Sequence, residues 1–174
     1  MVGIVCLAYQ SWTLQQDSLF YRIMVTSNEK GARGETVIRD KLRQLTGLQF
    51  ERVPGSGALD PKHGLKGDLY IPLVHNLFCI EVKNYEEDHL NSKILSGTSP
   101  QLLLFWEQAV RQGKQTNKKP LLTFKHNRSK IFVAYEDFPD SCEHIYVSVK
   151  GYSFYISLLE DWIKYEQIKF IKND

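Results

Sequence analysis

The run Leu77–Lys83 is the feature that most constrains the fold, because a strand-forming pattern in it ends in charge. Alternate residues of a strand share a face. The even-numbered residues of the run are all apolar, which is typical of a face that packs against a core. The odd-numbered residues begin apolar and end with Glu81 and Lys83. Such a face predicts a sheet whose one end opens into a polar cleft.

A second strand is predicted over 68–74, joined to the first by the dipeptide His75-Asn76. In a hairpin of this length Asp68 lies opposite Lys83 and diagonal to Glu81, with roughly 7–8 Å between the backbones. A four-residue loop keeps all three side chains on one face, whereas a three-residue loop separates them. The pattern therefore predicts two carboxylates and one amine that converge.

A helix that begins at Ser27 or Asn28 is predicted to reach about Leu45, with Gly47 just past its end. Its apolar stripe, continued back by one turn, includes Glu35. A carboxylate that points toward a core is costly unless it lies at the rim, is paired or meets a cation. Glu35 is therefore a candidate for the same polar cluster.

The other predicted elements alternate between strands and helices. A short strand (49–53) is followed by a Gly- and Pro-rich loop (54–67), and later an insertion (84–99) leads to a helix from Pro100 to Gly113. Four further strands follow, over 121–124, 130–135, 144–149 and 153–157. The chain ends with a last helix (158–165) and a final strand in the tail (168–172). This order predicts an α/β fold with a central mixed β-sheet flanked by helices.

The length, 174 residues, fits a single domain. We expect that domain over 24–174, with Met24 as an alternative start and 1–23 as an accessory arm.

Composition limits the classes of partner and compartment. No apolar run approaches the ~18 residues of a membrane span. The three cysteines are widely spaced without a CxxC pair, which favours a reducing, intracellular compartment over a disulfide framework or a zinc site. Residues 27–130 hold 17 Lys and Arg against 11 Asp and Glu, while 131–174 hold 4 against 8. The basic middle of the chain favours a polyanionic partner.

Two carboxylates that face each other repel unless a cation lies between them. Mg²⁺ takes oxygen ligands and commonly uses one or two carboxylates with water and a substrate phosphate. Glu35 would add a third oxygen to Asp68 and Glu81, and Lys83 would orient water or offset charge on a phosphate. The alternative is an ordinary ion pair between Asp68 and Lys83, with Glu35 at a solvated helix end. An E-x-K triplet alone is expected about once by chance in this composition, so its context carries the argument.

Six short motifs together resemble those of the PD-(D/E)xK nuclease superfamily, and within it the Holliday junction resolvases of archaea and their viral relatives. They are G-A-R-G-E (31–35), V-P-G-S-G (53–57), K-G-D (66–68), I-E-V-K-N (80–84), W-E-Q-A (106–109) and K-P-L-L-T-F-K (119–125). The resemblance implies a restriction-endonuclease-like core. Gly67 stands where the motif usually has proline.

The resemblance also assigns roles. It implies that Glu35, Asp68 and Glu81 bind Mg²⁺, with Mn²⁺ able to substitute, and that Lys83 is the catalytic lysine. It matches Ser56 to a serine of the Gly-rich loop and Gln108 to a supporting glutamine of the following helix. Residues on predicted loops and helix ends near the cleft are candidates for contacts with DNA phosphates: Lys30, Arg33, Ser56, Lys62, Lys66, Lys118 and Lys119.

These observations predict a magnesium-dependent, structure-selective DNA endonuclease that resolves four-way junctions. We expect no association with a membrane. Paired cuts in two strands would require a symmetric homodimer. One alternative is a restriction-like or repair nuclease that acts on duplex, ends or flaps. A second is a non-catalytic nucleic-acid-binding module that kept the fold.

Overall fold

In the computed structural model, the described residues are 31–54, 65–98 and 100–172. They form four helices and seven strands in the order α1 (31–46), β1 (Glu51–Arg52), β2 (Leu69–Tyr70), β3 (Phe78–Tyr85), α2 (Lys93–Ser96), α3 (Gln101–Thr116), β4 (Lys119–His126), β5 (Phe132–Tyr135), β6 (Ile145–Val149), β7 (Tyr152–Leu158) and α4 (Leu159–Glu166). The predicted arm 1–23 lies outside the described residues.

The strands form one mixed sheet in the order β1-β2-β3-β4-β5-β7-β6. Only β3 and β4 pair in parallel, and α2 and α3 make the crossover between them. A parallel pair needs such a crossover, because a short turn reverses the chain direction. The predicted α/β fold with a central mixed sheet and a restriction-endonuclease-like core is confirmed.

The helices cover both faces of the sheet because its buried strands are apolar on both sides. Ile38 of α1 and Trp162 of α4 belong to one core with Ile80 of β3. Trp106 of α3 belongs to a second core with Leu122 of β4. Because side chains alternate along a strand, the even-numbered residues of β3 lie on the face of the sheet that packs against α1 and α4. Its odd-numbered residues, which include the two charges, face α3.

Glycines mark one predicted helix end correctly and one wrongly. Gly47 follows α1 with φ of +73°, and its N–H donates to the Arg43 carbonyl at 2.9 Å. The predicted end at Gly113 is wrong, because α3 continues to Thr116 and ends at Asn117 in the left-handed region. Gly113 is buried, and a Cβ there would lie 2.8 Å from the Lys118 carbonyl oxygen. It serves the close approach of α3 to the start of β4.

The predicted two-residue turn between the second and third strands is wrong. Strand β2 stops at Tyr70, and the chain loops through 71–77 before β3 begins. The cause is Asn76, whose Oδ1 accepts the Ile71 N–H at 2.6 Å and whose Nδ2 donates to the Ile71 carbonyl at 2.7 Å. A side-chain amide thus replaces a strand partner. Leu69 pairs with Ile80, a register two residues from the expected one, so the same side chains still share a face.

The C-terminal part of the chain follows its predicted pattern closely. Strands β6 and β7 form the expected hairpin, with the pair Lys150-Gly151 in the turn. Both have positive φ, +53° and +82°, as a two-residue hairpin turn of type I′ requires. The predicted tail strand is reduced to a single bridge between Asn76 and Ile171. None of the helices in the described part of the chain has both the length and the hydrophobicity that a membrane span requires.

Candidate active site

Glu81 is the most buried charged side chain of the site, with 2% of its surface exposed. Its Oε1 accepts a hydrogen bond from Gln108 Nε2 at 2.5 Å and lies 2.7 Å from Lys83 Nζ. Its Oε2 is buried and has no hydrogen-bond partner among the described residues. One oxygen is thus held in place, and the other is buried and unsatisfied, which is costly for a carboxylate unless a cation reaches it.

Asp68 stands across from Glu81, because the pair Leu69 and Ile80 sets the register one residue away. Its Oδ2 accepts the Val82 N–H at 2.8 Å. Burial, and then the nearby charges of Glu81 and Glu35, raise the pKa of Asp68 to about 7, against the lowering effect of that hydrogen bond and of Lys83. Three carboxylates therefore act on one another at this point of the sheet.

Gly67 lets the chain enter β2 close to β3. Its φ is +81°, and a Cβ there would lie 2.5 Å from the carbonyl oxygen of Ile80. Proline is fixed near φ of −65° and cannot adopt this conformation. The positive φ at position 67 therefore explains why glycine replaces the motif's usual proline. The next residue, Asp68, donates its backbone N–H to the Ile80 carbonyl oxygen, with 2.7 Å between nitrogen and oxygen.

Lys83 extends from the same face of β3 as Glu81. Its Nζ lies 5.5 Å from the centre of the Phe105 ring, a cation–π arrangement with α3. Burial would lower the pKa of Lys83, but Glu81, through charge and hydrogen bond, and then Asp68 raise it above its ordinary value. The lysine is therefore a fixed positive charge beside two acids.

Glu35 reaches the site from α1, on the other face of the sheet. The helix passes close to the end of β3, because a Cβ on Gly34 would lie 2.6 Å from the Cβ of Asn84. Glu35 Oε2 accepts a hydrogen bond from Arg52 Nε of β1 at 2.6 Å. Arg52 was missed by the sequence reasoning, which had no means of pairing a helix residue with a strand that follows it.

The donor set suits a hard divalent cation. Carboxylate oxygens are the ligands that Mg²⁺ prefers. Glu81 Oε2 is buried without a hydrogen-bond partner among the described residues, and the charge of Glu81 helps to raise the pKa of Asp68. A cation between the two acids would satisfy that oxygen and lower that pKa. Among the described residues, no three acidic, histidine or cysteine side chains already surround a single point. Arg52 holds Glu35, and the Val82 N–H holds Asp68.

Comparison with known proteins decides the family. A family model described as "phage putative PDDEXK endonuclease" matches residues 26–172. The chain belongs to this family. It is therefore a nuclease of the viral PD-(D/E)xK superfamily. The chain is also 39% identical over 154 residues to Protein D14 of Escherichia phage T5, an alignment that covers 83% of this chain and 96% of that protein. No solved structure matches this chain.

The residues expected at the site of this nuclease fall into four groups in the structure. Glu81 contacts both Lys83 and Gln108, Asp68 lies opposite Glu81 in the strand register, and the charge of Glu35 acts on Asp68. Half-buried Lys66 lies two residues before Asp68, and Arg33 is exposed on α1.

The basic pair Lys118 and Lys119 is not brought to the cleft. Lys119 pairs with Phe78 in the register, at the end of β3 away from Lys83, and its Nζ lies 2.6 Å from Asp137 Oδ2. Lys118 precedes it in the chain and acts electrostatically on Cys79, at the same end of β3. Lys30, Ser56 and Lys62 lie outside the described residues.

Proposed function

We propose that this nuclease is a divalent-metal-dependent DNA endonuclease that cleaves four-way junctions as a homodimer. One observation carries the catalytic part of the proposal: Asp68, just before β2, lies on the same face of the sheet as Glu81 and Lys83 of β3. Mg²⁺, or Mn²⁺ in its place, would be held by Asp68 and Glu81 and would supply Lewis-acid activation of water and of the phosphate.

Each side chain then has a separate task. Gln108 fixes Glu81 through Oε1, and Oε2 remains without a hydrogen-bond partner among the described residues and would bind the metal. Lys83, held by Glu81 and by the Phe105 ring, would donate a hydrogen bond to a phosphate oxygen and offset the negative charge that develops there during hydrolysis. Glu35 would act as a third ligand once its contact with Arg52 opens.

The choice of substrate is supported by charge and by the motif resemblance to junction resolvases. The excess of Lys and Arg over residues 27–130 favours a polyanion, and DNA backbone contacts of this kind make binding strongly salt-dependent. A junction is resolved by two symmetric cuts, so two copies of the site are required.

The test is cleavage of a synthetic four-way junction, a flap, a linear duplex and single-stranded DNA in EDTA, Mg²⁺ and Mn²⁺. We expect symmetric cuts in the junction with either metal and none in EDTA. Lys83→Met should lower the cleavage rate at least about 100-fold while junction affinity is retained. The matched control is Lys164→Met, which changes an exposed lysine of α4 on the opposite face of the sheet.

Other results identify the alternatives. Equal cutting of linear duplex or flaps would replace junction resolution with a restriction-like or repair activity. Binding without cleavage under every metal condition would leave only a nucleic-acid-binding module. Light scattering of the junction complex checks the assembly, and one protein copy per junction would refute the homodimer but leave the nuclease intact.

A further inference from the structure

The charged face of β3 continues one step beyond the catalytic lysine. Residues 81, 83 and 85 alternate with the core-facing residues, so Tyr85 stands on the same face as Glu81 and Lys83, at the last position of the strand. It is 38% exposed, whereas Glu81 is 2% exposed. The face therefore runs from a buried carboxylate, through a lysine, to an aromatic ring that reaches solvent.

The Tyr85 ring is held in a fixed position by two other rings. It stacks on Phe105 of α3 with 4.8 Å between centroids and 21° between planes. His89 contacts both rings edge to face, at 5.0 Å from Tyr85 and 5.6 Å from Phe105. Phe105 is buried and is the same ring over which Lys83 Nζ lies. One buried phenylalanine thus positions both the lysine and the exposed tyrosine.

Core packing explains Phe105 but not the exposed part of Tyr85. A fixed, partly exposed aromatic ring beside a phosphate-binding amine matches the platforms that proteins use for single-stranded nucleic acid, where bases stack on aromatic side chains. Two strand residues span about 7 Å, and neighbouring nucleotides of a duplex strand rise about 3.4 Å. A base on Tyr85 would therefore lie within about two nucleotides of a phosphate at Lys83.

We propose that Tyr85, supported by Phe105 and His89, is a stacking platform for an unpaired nucleobase beside the phosphate that is cut. This inference rests on the proposed function and narrows its substrate to DNA with an unstacked base at the cleavage point. Bases inside an intact duplex are already stacked on both sides and cannot occupy the platform. Branch points, bulges and single-stranded regions can supply such a base.

The experiment uses the full-length protein and DNA that carries 2-aminopurine at one unpaired position next to a branch. Binding is measured in EDTA, so that cleavage does not interfere. We expect the emission of 2-aminopurine to fall when wild type or Tyr85→Phe binds, because both keep an aromatic ring for the base. Tyr85→Leu keeps an apolar group against Phe105 but removes the ring, so the quenching should disappear and binding should weaken on the order of 10- to 100-fold.

The matched control is Tyr146→Leu, which removes a 53% exposed tyrosine from β6 at the far edge of the sheet. It should bind and quench as wild type does. Circular dichroism and thermal unfolding of each variant separate lost folding from lost stacking.

Two outcomes would overturn the inference: no change of emission on wild-type binding, or equal affinity of Tyr85→Leu and Tyr85→Phe. Neither outcome bears on metal-dependent cleavage, which is measured separately in Mg²⁺. Conversely, quenching by a protein that cuts no DNA would support the platform and refute the proposed catalytic function.

Discussion

At the scale of single residues, the two carboxylate oxygens of Glu81 differ in their hydrogen bonding. Glu81 Oε1 has a charged and a neutral donor, while Oε2 has no hydrogen-bond partner in the described part of the chain. A buried acid with one satisfied oxygen is oriented but not stabilised. The arrangement favours ligand binding over the stability of the ligand-free protein.

Gly67 supplies the first residue-scale prediction. Gly67→Ala should destabilise the protein by about 2–4 kcal/mol, because it adds the strain of positive φ, of order 1–3 kcal/mol, to a contact of 2.5 Å with the Ile80 carbonyl oxygen. Cleavage should fall as well, since Asp68 is the next residue. Urea unfolding and cleavage rate are the measurements.

The chain offers a close control for this change. Gly151 has a φ of +82°, and a Cβ there would meet nothing within 4 Å. Gly151→Ala therefore carries the strain without the clash and should cost less than Gly67→Ala. Equal losses of stability in the two variants would show that the Ile80 carbonyl does not require glycine at position 67.

At the scale of elements, the position of α1 against β3 decides whether Glu35 can join the site. Gly34→Ala would raise stability by about 1 kcal/mol from helix propensity alone. We expect slower cleavage and weaker Mg²⁺ binding instead, because the new Cβ lies 2.6 Å from the Cβ of Asn84 and pushes the helix away. Cleavage rate as a function of Mg²⁺ concentration measures the effect.

The close contact can be relieved from the other side. Asn84→Gly removes the contacted Cβ, so the double variant should recover metal affinity relative to Gly34→Ala. If the effects of the two substitutions on metal affinity are additive, the side chains at positions 34 and 84 do not clash. Gly31→Ala, where a Cβ meets nothing within 4 Å, serves as the propensity control.

A second element-scale prediction concerns α4 and the segment before β6. Burial would raise the pKa of Glu166, but the backbone N–H groups of Asp140, Ser141 and Cys142 hold it below its ordinary value. A depressed carboxyl pKa contributes stability at neutral pH that is lost as pH falls through that pKa. Glu166→Gln should therefore be less stable than wild type at pH 7, and the difference should shrink below about pH 4.

Urea unfolding at several pH values between 7 and 3 measures this difference. Glu143→Gln, which changes an exposed glutamate just after the same segment, controls for the loss of one negative charge. A constant difference between wild type and Glu166→Gln across the range would contradict the role given to the three N–H groups.

The same elements show how far sequence patterns reach. Alternation located β3 and assigned its charged face, because its even-numbered residues pack in the core with α1 and α4 while Glu81 and Lys83 lie on the opposite face. The turn before β3 was misplaced because Asn76 replaces a strand partner through its side chain, which composition does not reveal. The predicted strand register differs from the observed one by two residues, an even number, so Asp68 still lies on the same face as Glu81. Tyr85 was overlooked although it continues the odd-numbered series, whereas the contact between Glu35 and Arg52 depends on tertiary placement alone.

At the scale of the whole molecule, the site joins parts that are stabilised separately. The core under α1 and α4 and the core under α3 lie on opposite faces of the sheet. The charges of Glu81 of β3 and Glu35 of α1 both act on Asp68, just before β2, and raise its pKa. A cation at this point would remove the repulsion and connect α1 to the strands, so metal binding should be visible in the global stability.

Thermodynamic linkage makes this measurable without any DNA. A ligand that binds only the folded state adds about 2.7 kcal/mol at a concentration 100 times its Kd. Asp68→Asn keeps an oxygen for the Val82 N–H but removes a charge opposite Glu81. In EDTA we expect the variant to be at least as stable as wild type. In saturating Mg²⁺ or Mn²⁺ the order should reverse, because only wild type retains the full ligand set.

Urea unfolding with and without metal provides both comparisons, with Asp161→Asn of α4 as the control for a charge lost elsewhere. The control should gain the same stability from the metal as wild type does. If wild type and Asp68→Asn gain equally, the ion binds elsewhere and Asp68 is not its ligand. A crossing of the two stabilities on addition of metal would place the cation at Asp68, because repulsion lowers stability there in EDTA and coordination raises it when the ion is present.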